Sequence, residues 1–140
     1  MSGEEGGARG FAVAGLGVDL VEIEELERII ARRGTRFLER VFTSEEIAYC
    51  REKHRPGEPF GARFAAKEAA FKALGTGWGQ GVSWKDVEVH VPRWGAAPTL
   101  RFRGGFSRHM SERHITSAQV SLSHTRTTAV AVVLLLMEAS

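Results

Sequence analysis

The chain has 140 residues, 43% of them hydrophobic, with a formal net charge of +2 and a single cysteine. That length fits one domain, whose core buries roughly two-thirds of the unfolded surface, and leaves little room for a second. The small charge does not mark a nucleic-acid binder, a lone Cys50 excludes an internal disulfide, and the longest apolar run, Ala129 to Met137, falls far short of a membrane-spanning helix.

Residues 1–10 are Gly-rich with Glu4 and Glu5 and lack the basic start and apolar stretch of a secretory signal. They read as a flexible tail ahead of a domain spanning 11–140, and the whole as a soluble cytoplasmic protein. Phe11 to Val18 is apolar with two glycines and reads as a buried strand ended by Asp19. From Leu20 the spacing turns helical (Leu20, Ile23, Leu26, Ile29, Ile30), with Gly34 as a stop. Asp19 and Glu22 have the spacing of a capping box, and Thr43-Ser-Glu-Glu46 repeats that pattern at the head of a second helix running to about Lys53. His54 to Pro59 reads as a turn. A third helix covers Phe60 to Leu74 and is closed by Gly75.

The second half alternates apolar and polar residues in the manner of strands: Val87, Val89 and Val91; Leu100 and Phe102; Val120 and Leu122 before His124. A short helix fits around Gly105–Arg113. Thr125-Arg-Thr127 reads as a turn into Thr128–Met137, apolar on both faces and therefore a central strand. The order predicts an α+β fold, a single domain with helices packed on a mainly antiparallel sheet.

The third helix carries the chemistry. Glu68 shares a stripe with Phe64 and Phe71, which places a carboxylate on a packed face, costly unless it is paired or bound to a metal. Its alanines leave a face that something can approach closely. Lys67 lies on one side of the Glu68 stripe with Arg63 farther round, and Lys72 lies on the other side. These cations could surround an anion bridged to Glu68 by a metal; a plain Glu68–Lys72 ion pair explains the same spacing. Asp19 is equally an N-cap or a rigidly presented oxygen ligand of the kind Mg²⁺ prefers. Ser123 and His124, at a strand end, are structural or hydrogen-bond a phosphate. Between Arg32 and Arg63 eight Lys/Arg outnumber five acids, which suits an acidic or phosphate-rich partner or simply a solvated helical surface.

Three segments together resemble the short, single-domain 4′-phosphopantetheinyl transferases, the holo-acyl-carrier-protein synthase family. They are Gly15-Leu-Gly-Val-Asp19-Leu-Val-Glu-Ile23, Arg63-Phe-Ala-Ala-Lys-Glu68-Ala-Ala-Phe-Lys72-Ala-Leu-Gly-Thr-Gly77 and Val120-Ser-Leu-Ser-His124, with Arg40-Val-Phe-Thr43-Ser-Glu45 matching the link between the first two helices. The resemblance spans about residues 13 to 137 and implies a Mg²⁺-dependent transfer of phosphopantetheine from coenzyme A to a serine of an acidic acyl-carrier protein, releasing 3′,5′-ADP. It implies that Asp19 and Glu68 bind the metal, and that Arg63, Lys72 and His124, with Ser123 beside it, hold the coenzyme A phosphates. Gly75 and Gly77 would let the backbone pass close to the cofactor. Lys67 would neutralise charge or handle a proton, with Glu68 or a metal-bound water as the base. A homotrimer with sites between subunits is also implied. Fatty-acid, polyketide and peptide carriers all fit.

Two departures stand out. Where the family often has a carrier-contacting arginine this chain has Glu25, so docking is expected to use Arg28, Arg32 or the later arginines. The family's Gly-Lys-Pro turn is Ala96-Ala97-Pro98, without the lysine. A two-metal nuclease would need more carboxylates, Asp86 being the only other aspartate, and a nucleic-acid module would need aromatics interleaved with its arginines.

Overall fold

The computed structural model describes residues 10–75, 80–92 and 96–139. The expected tail and Gly77 lie outside these residues, Gly10 excepted. Strand β1 (Phe11–Glu22) is followed by helices α1 (Ile23–Val41), α2 (Ser44–Arg51) and α3 (Gly57–Leu74). A 3-10 turn at Trp84–Asp86 leads to β2 (Val87–His90) and β3 (Thr99–Phe102), then α4 (Gly104–Glu112), β4 (Ile115–His124) and β5 (Thr128–Glu138). The α+β expectation holds, with every strand pair antiparallel. The strands form two sheets, β1–β5–β4 and a separate β2–β3 pair.

The apolar last strand is central, as its sequence requires. Ala129, Ala131, Val133 and Leu135 on its inner face are fully buried, and α3 packs across β1 and β5. Thr43 caps α2 with the expected reciprocal bonds, its hydroxyl accepting from Glu46 N and its N–H donating to Glu46 Oε1. Gly75 closes α3 in the left-handed region at φ 80°.

Two boundaries differ from expectation: α3 begins at Gly57, inside the expected turn, and β1 runs on past Asp19. Asp19 does not end its strand, and there is no Asp19–Glu22 capping box: the ladder with β5 continues through Asp19↔Ala131 to Glu22↔Thr128, and Glu22 precedes α1 without a side-chain cap. Four further rungs of cross-strand pairing outweigh one side-chain cap. Gly34 does interrupt the helical geometry, as expected, at φ 65°, ψ −148°, so α1 is two helical stretches across a kink, the second burying Leu38 and Val41.

The contact that fixes the fold's geometry is between β1 and α3. A Cβ on Gly15 would sit 1.9 Å from Ala73 O, and one on Gly17 would sit 1.9 Å from Ala69 O. Only hydrogen fits at either place, so the strand rests directly on the helix backbone. The alanine face of α3 is the matching half of this seam: Ala65, Ala66, Ala69 and Ala70 are fully buried. The rotation of α3 is fixed from the far side. Lys67, fully buried, donates to Trp84 O and Val87 O and pairs with Glu46 Oε1 at 2.9 Å. Glu46 Oε2 in turn accepts from Val89 N at 2.8 Å. Burial pushes the Lys67 ammonium below its ordinary value, and the Glu46 carboxylate opposes that push.

Candidate active site

The inward positions of β1 run Gly15, Gly17, Asp19, Val21, alternating with exposed Leu16, Val18 and Leu20. Asp19 is therefore the next inward residue after the two glycines, beyond the end of the close seam, where there is room for a side chain. On α3 the residues flanking the seam are Glu68 and Lys72. Lys72 Nζ lies 2.8 Å from Asp19 Oδ1 and donates to Val18 O at 3.1 Å. The simple i,i+4 alternative is thus not what forms: Lys72 is tied to the strand aspartate, and among the described residues Glu68 makes no ion pair.

Glu68 is half-buried, and its carboxyl is raised above the ordinary value, first by burial and then by the charge of Asp19, with Lys72 working the other way. Two acids far apart in the chain thus feel each other's charge, with one ammonium between them. The hydrogen bond from Lys72 to Asp19 raises the lysine in turn. Among the described residues no group of three or more His, Cys, Asp or Glu side chains converges. One or two carboxylates, with water and phosphate oxygens completing the shell, is the donor set that suits Mg²⁺.

Lys67 does not join this cluster. The expectation that it neutralises charge or handles a proton beside Glu68 is corrected, because its ammonium points into the core and is held there by Glu46 and two carbonyls.

Arg63 and His124, separated by half the chain, line one cleft of about 820 Å³. Lys53 and Arg55 add positive charge to its wall, and Ala96 and Pro98, from the turn that lacks the lysine, line it without charge. His124 closes β4, exposed, with Nδ1 3.0 Å from Thr125 O; Ser123 beside it is also exposed. Gly75 is needed for its left-handed conformation, since a Cβ there would meet nothing within 4 Å.

A second cleft of about 850 Å³ runs between α1 and α3. Arg33, Arg36 and Arg40 rim it, and Phe37, Phe64 and Trp84 form its floor, with Phe64 and Trp84 stacked at 5.1 Å. Phe64 lies one turn before Glu68 on the same stripe. Arg28 and Arg32 are exposed farther up α1, Arg28 paired with Glu24 at 3.2 Å. Sequence reasoning missed this floor, because Trp84 belongs to a different element; it also missed Gly15 and Gly17 as the seam, although the Gly-x-Gly spacing was there to be matched with an alanine face.

The family model described as the 4′-phosphopantetheinyl transferase superfamily matches residues 15–133. The chain is 42% identical over 123 residues to the holo-[acyl-carrier-protein] synthase of Solibacter usitatus, covering 88% of this chain and 98% of that one. Its fold is similar to the crystal structure of holo-[acyl-carrier-protein] synthase from Neisseria meningitidis, with a TM-score of 0.80, 28% identity, and 89% and 98% of the two chains covered. The Helicobacter pylori holo-[acyl-carrier-protein] synthase, solved in complex with coenzyme A, matches with a TM-score of 0.75 and 32% identity over 86% of this chain and 98% of that one.

Proposed function

Since the chain belongs to the 4′-phosphopantetheinyl transferase superfamily, it transfers the 4′-phosphopantetheine group of coenzyme A to a serine of an apo-acyl-carrier protein, and we propose that Asp19 and Glu68 give this reaction a Mg²⁺ seat. The observation that carries the proposal is the meeting of the two acids beyond the glycine–alanine seam, with Glu68 raised by burial and by Asp19. When bound, the ion supplies Lewis-acid polarisation and a template for the pyrophosphate. The basic cleft with Arg63 and His124 holds the coenzyme A phosphate that lies away from this seat. The serine Oγ attacks phosphorus, its bond to phosphorus forms, the pyrophosphate P–O bond breaks, and 3′,5′-ADP leaves. Glu68, half-exposed beside the reacting atoms, receives the serine proton.

The carrier reaches Glu68 along α1. Arg28 and Arg32 steer an acidic partner, and the second cleft, with Arg33, Arg36 and Arg40 over Phe64, brings its serine toward the Glu68 stripe. This moves the docking contacts toward the C-terminal half of α1, consistent with Glu25 near its start. A cytoplasmic home suits the single free, buried Cys50, whose thiol burial pushes up to about 12.

The reading includes a homotrimer. The outer face of β1 presents Phe11, Val13, Leu16, Val18 and Leu20, each 52–67% exposed, with Val132 beside them on β5. A continuous apolar strip of this kind is covered in most proteins. Sedimentation of the purified protein should give a mass near three chains, and Leu16→Asp with Leu20→Asp should reduce it to one; a monomeric wild type would end the assembly proposal.

The transfer itself is tested by mixing the protein with apo-carrier, coenzyme A and Mg²⁺ and weighing the carrier by mass spectrometry. A phosphopantetheine adduct that disappears with a chelator is the expected result, and transfer that persists without divalent ions would remove the metal seat. Lys72 supplies a further prediction. Its ammonium already occupies Asp19 Oδ1, so metal must compete with it. Lys72→Met should tighten Mn²⁺ binding to the coenzyme-free protein roughly threefold to tenfold, read by electron paramagnetic resonance. Unchanged or weaker binding would count against competition at Asp19.

A further inference from the structure

Tyr49 has no part in the reaction as described, yet two cations rest on its ring. The Arg63 guanidinium lies 4.2 Å from the ring centroid and the Lys53 ammonium 4.4 Å. Arg63 comes from α3, Tyr49 from α2, and Lys53 from the chain just past α2. The aromatic ring is what joins them.

Arg63 is 4% exposed. A guanidinium so far from water normally has a carboxylate against it. This one does not: among the described residues its only hydrogen bond is a long one, NH1 to Pro59 O at 3.4 Å, and its Nε is buried without any partner. Two acids line that wall, and neither pairs with Arg63: Glu58 is taken by Arg55 at 2.7 Å, and among the described residues Glu52 makes no ion pair with Arg63. Arg63 is therefore held by the π face of Tyr49, with donor capacity to spare, at the edge of the 820 Å³ cleft that Tyr49, Lys53 and His124 also line. A neutral ring fixes the position of a cation without consuming its charge, as a carboxylate would. An anion entering the cleft meets two cations already placed and unneutralised.

We propose that Tyr49 is the positioning residue of this cleft, setting Arg63 and Lys53 for a phosphate dianion, and that through them it determines specificity for the 3′-phosphate of coenzyme A. The inference rests on coenzyme A being the ligand of the cleft. The assignment to the 3′-phosphate follows from the wall itself: Asp19, Glu68 and Lys72 are not part of it, so the phosphate held here is one that does not sit on the metal seat.

Calorimetric titration of coenzyme A and of dephospho-coenzyme A into the full-length protein tests it, with Tyr49→Leu, Tyr49→Phe and Arg63→Ala compared with wild type. Tyr49→Leu should weaken coenzyme A about tenfold or more while Tyr49→Phe, which keeps the ring, stays within about twofold. Dephospho-coenzyme A should bind wild type and Tyr49→Leu alike, and in the transfer assay Tyr49→Leu should raise KM with kcat little changed. A role confined to packing would weaken both ligands equally. Tyr49→Leu binding coenzyme A as tightly as wild type, while Arg63→Ala binds it poorly, overturns the proposal and leaves the cleft's assignment standing. Arg63→Ala binding as tightly as wild type overturns both.

Discussion

Glu68→Gln and Asp19→Asn should each lower the transfer rate by about 10³-fold or more, equivalent to about 4 kcal/mol of transition-state stabilisation, in proteins that remain fully folded. For Glu68→Gln the stability should move in the opposite direction to activity. The Glu68 carboxyl is raised above its ordinary value by burial and by Asp19. A raised carboxyl holds its proton more tightly in the folded protein than in the unfolded chain, so stability is full below the ordinary glutamate value and declines as the pH rises through the folded one. At neutral pH the ionised Glu68 works against folding, and an amide of the same shape does not. The thermal midpoint of metal-free Glu68→Gln should therefore equal or exceed that of wild type at pH 7, with the gap closing as the pH is brought below 4.5. A variant that loses stability and activity together would mean that Glu68 is a structural residue.

Lys67→Met should behave in the reverse way. The residue next to Glu68 in sequence faces the core, where its ammonium satisfies Glu46 Oε1, Trp84 O and Val87 O. Removing it leaves the Glu46 carboxylate, 2% exposed, without its counter-charge. Breaking a buried pair from one side costs about 3–5 kcal/mol, which for a domain of this size lowers the melting midpoint by roughly 10 °C or more. Lys67→Met with Glu46→Gln should recover part of the loss, because the amide needs no counter-ion and still accepts from Val89 N. At a temperature where the single variant is folded, its kcat should stay within a few-fold of wild type. A kcat loss matching that of Glu68→Gln, in folded protein, would return Lys67 to the chemistry.

The contrast between these neighbours shows what the sequence could convey. Strand and helix periodicities, the Thr43–Glu46 box and the Gly75 cap depend on residues close in the chain and came through, but the first strand, expected to be buried, leaves Phe11, Val13, Leu16 and Val18 exposed, because only one of its faces meets α3. The central place of β5 was legible from its unbroken apolar run, although only its inner face, Ala129, Ala131, Val133 and Leu135, is buried, and Val132 on the other face is exposed. What the sequence left open was anything set by partners far away. Asp19 looked like a helix cap because the ladder that carries β1 on to Glu22 is made by residues 128–131. Lys72 looked like the partner of Glu68 because spacing shows the i,i+4 neighbour and not the aspartate across the seam. Lys67 could be placed on a helical wheel but not matched with Glu46 and two carbonyls from a later strand and turn. Tyr49 gave no signal at all, since a lone tyrosine on a helix becomes notable only when two cations from different places meet on its ring.

The seam at Gly15 and Gly17 bears on how sequences of this kind can diverge. The separation between Asp19 and Glu68 is set by two hydrogen atoms against the carbonyls of Ala69 and Ala73. A methyl group at either glycine would lift the whole strand, and with it one of the two acids, without touching the acid itself. That makes the seam a gauge with almost no tolerance, while the arginine face of α1 is free to drift. With the carrier docked along α1 as proposed, a change of carrier would be made on that helix and would leave the distance between the two carboxylates unaltered.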